Sequence, residues 1–231
     1  MVSANAMTQD EAKRAAARAA LDELPREGVV GLGSGSTAKL FIDEVGALVK
    51  AGRRLQGVPT SEASRAQAIA LGIPLLSDDG PWAIDVNVDG ADEVSDVLDL
   101  VKGGGGAQTR EKIVNYASVK NVIIVDASKL SARLGEKWAI PIEVLAFAHP
   151  MTASHLARLG TATLRMRDGK IVRTDAGNVV YDVKVAPIDA PGDLDRKLRS
   201  IPGVVETGLF VGRCDVLLVA EESGVRRVAR G

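Results

Sequence analysis

Apolar positions recur in two periods along this chain, and the two halves of the sequence order them differently. Residues 9–24 carry the three- and four-residue spacing of an amphipathic helix, ended by Pro25, with Thr8 and Glu11 at capping-box spacing in front of it. Residues 28–32 form a short apolar run that leads into a Gly/Ser/Thr loop at 33–37 and a helical pattern over 38–50. Strand patterns at 56–59, 84–88 and 122–126 alternate with helical patterns at 61–71 and 109–120. Strands alternating with helices predict a largely parallel α/β sheet with helices on both faces, whose ligands sit at the carboxyl ends of its strands.

The second half changes rhythm. Residues 140–145 read as strand, 149–159 as helix, 161–167 and 179–185 as strands, 192–200 as helix and 204–210 as strand. That β-α-β-β-α-β order is a ferredoxin-like α+β unit. Residues 215–220 and 224–228 read as a closing strand pair that returns to the large sheet. The expected organisation is a large domain of residues 1–136 and 211–231 with a small domain of residues 137–210 inserted in it, the latter contributing to oligomer contacts. Internal repeats and low-complexity tracts are absent from the sequence.

Composition removes several function classes. With 46% hydrophobic and 26% charged residues the chain is of globular type, and its formal net charge of -1 gives no global field toward nucleic acid or an anionic membrane. At 3% aromatic residues it lacks the rings of a stacking platform for single strands. No apolar run approaches the roughly 20 residues that span a bilayer. The N-terminus lacks the pattern of a secretion signal, so residues 1–6 read as a tail and the cytoplasm is the expected location. Cys214 is the only cysteine, which excludes an internal disulfide and a thiolate metal site. His149 and His155 are the only histidines; surface or capping roles are expected for them rather than a metal site.

The candidate chemistry lies in loops. In Gly33-Ser34-Gly35-Ser36-Thr37 the glycines let backbone approach a ligand, and the helix start behind them offers free N–H groups and a positive dipole end. Ser36 stands where a dinucleotide fingerprint needs its third glycine, and no Gly-Lys-Ser/Thr closes a nucleotide P-loop. The loop reads as a small phosphate cradle or as a plain turn whose Ser36 or Thr37 caps a helix. Asp89-Gly90-Ala91-Asp92 follows a strand and reads as a turn with Asp92 as cap, or as a pair of carboxylates for sugar hydroxyls. Lys102 precedes four consecutive glycines, Gly103 to Gly106, joining a strand-like stretch to a helix. A floppy tether there would cost ordering entropy, whereas successive amides can converge on an oxyanion. Glu111 opens the following helix, as a dipole-compensating residue or as a base facing the glycines. Lys129, after Asp126-Ala127-Ser128, reads as a solvated lysine unless the strand end before it shares a site with the serine loop and Asp89.

Taken in order, these segments resemble the A-type ribose-5-phosphate isomerase family. The resemblance is carried by GLGSGSTA at 31–38, PTSEAS at 59–64, DVNVDGADE at 85–93, VKGGGGAQTREK at 101–112, DASKL at 126–130, KWAIPIEV at 137–144, TDAGN at 174–178 and IPGVVETGLF at 201–210. It implies a Rossmann-like sheet with an inserted ferredoxin-like domain, and interconversion of ribose 5-phosphate and ribulose 5-phosphate through a cis-enediolate. It implies Glu111 as proton acceptor, the segment Asp89 to Asp92 (with Gly90 and Ala91) on the sugar, and Lys102 to Gly105 (with Gly103 and Gly104) on the reacting oxygens. Ser34, Gly35, Ser36 and Thr37 would bind substrate, chiefly its phosphate, with Lys129 and Lys13 as further phosphate partners. Asp89 would assist ring opening or proton shuttling. No metal and no cofactor is implied, and a homodimer or homotetramer is expected. Two apolar residues often precede the REK segment in that family, where this chain has Gln108-Thr109, a difference expected to alter helix packing rather than chemistry. The rival readings are a non-catalytic sugar-phosphate sensor, whose usual DNA-reading helix pair has no room here, and another isomerase or transferase of the same broad fold.

Overall fold

The structure, a computed structural model, describes residues 8–231; the expected tail at residues 1–6 lies outside them. In chain order come α1 (Gln9–Ala19), β1 (Glu27–Leu32), α2 (Ser36–Lys50), β2 (Arg54–Pro59), α3 (Glu62–Leu71) and β3 (Ile84–Asp89). The short strands β4 (Glu93–Ser95) and β5 (Leu100–Val101) precede α4 (Gln108–Tyr116), β6 (Ser118–Asp126) and β7 (Leu130–Ser131). Then follow β8 (Ile140–Val144), α5 (His149–Leu156), β9 (Thr161–Leu164), β10 (Met166–Arg167), β11 (Lys170–Ile171) and β12 (Val179–Lys184). The chain closes with α6 (Pro191–Arg199), β13 (Val204–Thr207), β14 (Leu209–Phe210), β15 (Val216–Glu221) and β16 (Gly224–Ala229).

Two compact units emerge. The first holds the described residues through Gly90 together with Val114–Ser128 and Asp215–Gly231. Its sheet runs β16-β15-β6-β3-β1-β2, parallel except for the antiparallel β15–β16 pair, so the last strands do return to the large sheet. Val122 to Val125 are all buried, as expected of a parallel strand covered on both faces. Small residues let α1 approach closely: Ala12, Ala16, Ala17 and Ala20 join Leu32, Phe41, Ile42, Ile124 and Leu218 in one core. The capping box forms as its spacing predicts, Thr8 accepting from the Glu11 N–H and Glu11 from the Thr8 N–H. The outer strand β16 exposes Arg226 and Arg227, charges that discourage pairing with another chain.

The second unit holds Ala91–Ile113 and Lys129–Cys214. Its main sheet runs β13-β8-β12-β9, every neighbour antiparallel, which is the ferredoxin-like order expected of β-α-β-β-α-β. Ile140, Ile142, Val144, Val179, Tyr181, Leu198 and Leu209 make its core. A second small sheet, β14-β5-β4-β7, is the reason that residues 91–113 and 129–136 group here rather than with the large sheet, where the expected 137–210 border put them.

Among the expected elements that end differently, three show why. The helix expected over 109–120 stops at Tyr116, where the Ser118 hydroxyl donates to the Val114 carbonyl (2.6 Å) and Ser118 and Lys120 pair with Ile84 and Val86. The strand expected over 204–210 breaks at Gly208, whose N–H goes to Pro141 O (2.7 Å) and whose carbonyl takes the Lys102 N–H (2.8 Å). The strand expected over 161–167 breaks at Arg165, beyond which β10 turns back on β11.

Ile124, fully buried at the centre of the first unit's sheet, reports on that core. Ile124→Ala is expected to lower the unfolding free energy by ~2–5 kcal/mol, measured by chemical denaturation. A loss well below that range would show that the surrounding side chains collapse into the space.

Candidate active site

In the first unit the serine loop is locked from within. The Ser34 hydroxyl donates to Ser61 Oγ (2.8 Å), Ser61 donates to Ser64 Oγ (3.0 Å), and Ser64 donates to the carbonyl of Gly33 (2.7 Å). The Ser34 N–H donates to Asp89 Oδ1 (2.9 Å), which also accepts the Gly90 N–H (2.8 Å). A Cβ on Gly33 would lie 2.3 Å from that carboxylate, so only glycine lets the loop pass Asp89. Both donors of Ser34 are thus engaged inside the protein, while Ser36 is exposed and Thr37 half-buried at the helix start. No side chain caps α2, which leaves its first-turn amides and the positive end of its dipole for an anion. Lys13 pairs at 3.8 Å with Asp10 on α1. A hollow of about 350 Å³ at the ends of β6 and β15 carries Asp126, Glu221 and Glu222, which makes it a poor receptor for phosphate.

The second unit gathers the acid–base groups. Lys102 Nζ and Glu111 Oε2 stand 3.3 Å apart, with 4% and 6% of their side-chain surfaces exposed. Glu111 sits in the first turn of α4, where the helix dipole favours its ionised form. That turn is anchored from below. The Thr109 hydroxyl donates to buried Glu143, which also accepts from the Thr174 hydroxyl (2.8 Å) and the Asn178 amide (2.8 Å). Asp92 Oδ2 accepts the Gly104 N–H (2.7 Å), and a Cβ on Gly104 would stand 2.6 Å from the same carboxyl group. Gly103, Gly104 and Gly105 therefore run past Asp92 with no side chains in the way. Ala91, half-buried, links Gly90 to Asp92 along the chain. Lys129 lies over the Trp138 ring, 5.3 Å from its centroid.

Three neighbours escaped the sequence reading. Phe210 has the Lys102 ammonium 5.6 Å and the Lys112 ammonium 4.9 Å from its ring centroid, within cation–π reach of both. Lys112 is held by Glu206 (2.9 Å) and the Thr207 hydroxyl (3.3 Å); burial pushes its pKa below the ordinary lysine value, against the pull of Glu206. Glu93, the third acid of the DGADE segment, is structural: its carboxylate takes the N–H groups of Gly135 (2.8 Å) and Lys137 (2.9 Å). The IPGVVETGLF stretch contained the signal for Glu206 and Phe210, but a motif does not say which side chains meet. His149 shares a hydrogen bond with the Tyr181 hydroxyl (2.7 Å). Among the described residues no group of His, Cys, Asp and Glu is arranged to hold a metal, and no helix is long and apolar enough to cross a membrane.

Comparison with known proteins adds an independent finding. The family model described as ribose 5-phosphate isomerase A (phosphoriboisomerase A) matches residues 56–224. A ribose-5-phosphate isomerase A of Thermococcus kodakarensis is 45% identical over 230 residues, covering 97% of this chain and all of its own. A solved D-ribose-5-phosphate isomerase in complex with phospho-erythronic acid superposes with a TM-score of 0.93 at 40% identity, over 97% of this chain and 100% of that one. The ribose 5-phosphate isomerase A of Methanocaldococcus jannaschii gives 0.91 at 39% identity, over 96% and 100%.

Of the two residues before the REK segment, Thr109 finds Glu143, but Gln108 does not pair. It is fully buried against Gly103, and neither its amide oxygen nor its nitrogen has a hydrogen-bond partner among the described residues. Gln108→Leu removes that uncompensated desolvation and is expected to raise the unfolding free energy by about 1–3 kcal/mol. A lower denaturation midpoint in the variant would show that the amide is satisfied after all.

Proposed function

This chain belongs to the ribose 5-phosphate isomerase A family, whose members interconvert ribose 5-phosphate and ribulose 5-phosphate, and we propose that Glu111 is the base that moves the proton. The observation that carries this reading is the nearly dry Lys102–Glu111 pair, 3.3 Å apart beside the glycine loop. In the open aldehyde form the Glu111 carboxylate takes the proton from carbon 2. The C–H electron pair becomes the C1=C2 double bond, and the carbonyl oxygen on carbon 1 gains the negative charge. Lys102 and the open amides of the loop hold that oxygen. A proton then passes from the carbon-2 hydroxyl to the carbon-1 oxygen, and Glu111 returns its proton to carbon 1, leaving a ketone at carbon 2.

The two terms have familiar sizes. A positioned general base contributes ~10²–10⁴-fold, and one oxyanion donor contributes ~2.7–4 kcal/mol. Asp92, oriented by the Gly104 N–H, binds sugar hydroxyls, and Asp89 assists ring opening or carries the proton between the oxygens. Ser36, Thr37 and the first amides of α2 take the phosphate, with Ser34 and Gly35 shaping the loop and Lys129 and Lys13 adding positive charge. Binding energy from the phosphate fixes the reacting carbons, which raises the rate when it is realised at the transition state. Lys102 and fixed peptide dipoles stabilise the charge that a metal ion neutralises in other sugar isomerases, so the reaction runs without one. A homodimer or homotetramer in the cytoplasm completes the reading, with no nucleic-acid or membrane partner.

Glu111→Gln is expected to cut kcat by about 10²–10⁴-fold in a coupled ketose assay, with its thermal midpoint near the parent's. Near-parent turnover would remove Glu111 from the role of base. Activity on ribose 5-phosphate is expected to survive exhaustive EDTA treatment unchanged; loss on chelation, restored by a divalent cation, would contradict the metal-free mechanism.

A further inference from the structure

The glycine loop has to present its amides in one orientation, yet glycine is the residue least able to hold an orientation by itself. The turn bond from the Gly106 N–H to the Gly103 carbonyl (2.9 Å) closes the loop but leaves the Gly104 carbonyl to a partner from outside it. Arg165, at the break between β9 and β10, has a largely buried side chain and reaches the loop from the other side. Its Nη1 donates to the carbonyl of Gly103 (2.8 Å) and to the carbonyl of Gly104 (3.1 Å). The rest of the guanidinium is spent on Asp182: Nε donates to Oδ2 (2.9 Å) and Nη2 to Oδ1. The backbone of Arg165 is pinned as well, its N–H on Val180 O (2.9 Å) and its carbonyl under the Val172 N–H (3.0 Å).

We propose that Arg165, held in a bidentate grip by Asp182, is a positioning residue for the isomerisation: it clamps two consecutive loop carbonyls and thereby aims the loop's amides. In a trans peptide unit C=O and N–H point in opposite directions. Fixing the Gly103 carbonyl on Arg165 turns the Gly104 N–H away from it, and that N–H is the donor that orients Asp92 at 2.7 Å. Fixing the Gly104 carbonyl likewise turns the Gly105 N–H away from Arg165. Among the described residues that N–H finds no acceptor, which leaves it open to an anionic oxygen. One guanidinium thus sets both the carboxylate that would meet the sugar hydroxyls and the donor that would meet the developing charge. Only arginine can do this. A planar fork pairs with a carboxylate along one edge while its remaining N–H groups serve a second set of acceptors, whereas a lysine ammonium is a point donor.

The inference builds on the proposed roles of Asp92 and the loop, and its test separates from theirs. Arg165→Met and Arg165→Lys are assayed for kcat and KM on ribose 5-phosphate, and amide hydrogen exchange of residues 103–106 is followed in the unliganded proteins. Because the clamp acts on groups that meet charge in the transition state, Arg165→Met is expected to lose about tenfold or more in kcat. KM is expected to move by less than about threefold. Arg165→Lys should fall between the two, and exchange of the Gly104 and Gly105 amides should quicken in the order parent, Lys, Met. Asp182→Asn, which removes the anchor's charge but keeps an acceptor, should reproduce the Lys variant. An unchanged kcat in Arg165→Met, or a rise in KM with kcat intact, overturns the proposal. So does unaltered loop exchange, which requires no turnover; should Arg165→Met fail to fold, Arg165→Lys and Asp182→Asn decide by the same measures. Failure of Glu111 as base would show in Glu111→Gln alone, and failure of the clamp in the Arg165 variants alone.

Discussion

A lysine and a glutamate that have both given up their water are the constraint around which the second unit is arranged. At 3.3 Å, with 4% and 6% of their side chains exposed, Lys102 and Glu111 face one another where bulk solvent barely reaches. Such a pair is a poor device for stability, since desolvation consumes most of what the attraction returns, and apolar residues of similar volume often do as well. In the proposed mechanism its value is chemical: charges so little exposed to water interact strongly with whatever stands beside them. Everything near it serves the same end: the helix dipole at the start of α4, the Glu143 anchor beneath Thr109, and Phe210 beside both lysines.

The first unit solves a different problem with different means. A phosphate is best met by many fixed dipoles, and a loop of glycine and serine is flexible unless something stiffens it. The relay from Ser34 through Ser61 and Ser64 back to the Gly33 carbonyl does so without using charge, and Asp89 draws in the Ser34 and Gly90 amides. The Ser34, Ser61 and Ser64 hydroxyls are thereby internal ties, so the proposed phosphate site rests on Ser36, Thr37 and the α2 amides. In both units glycine serves one purpose, close passage beside a carboxylate: Gly33 beside Asp89 and Gly104 beside Asp92.

What the sequence revealed and what it withheld follow from range. The alternation of strand and helix through α3 and β6 was legible because each element spans several periods of its own pattern. So was the ferredoxin-like order of β8 to β13. Strands as short as β5 and β14, two residues each, have no period to read, and the sheet they form joins Leu100 to Phe210 across nearly half of the chain. Asp89, Lys102 and Glu111 stood out because loops and helix starts concentrate chemistry in a few consecutive residues. Arg165 did not, since its carbonyl partners are 62 and 61 positions away and an isolated arginine after a strand looks like any other. Gln108 and Thr109 differ in outcome for the same reason: only the fold decides that Thr109 meets Glu143 while Gln108 finds no hydrogen-bond partner among the described residues.

The central claim is that a carboxylate carries a proton between two carbons while the oxygens beside them bear the charge. Isomerisation run to equilibrium in D₂O, with the sugar phosphates read by NMR, tests it most directly. A proton lodged on Glu111 exchanges with solvent over repeated turnovers, so the account predicts deuterium at carbon 1 of ribulose 5-phosphate and at carbon 2 of recovered ribose 5-phosphate. Products that remain free of deuterium after many turnovers, with the hydrogen passed intact from one carbon to the next, would contradict it.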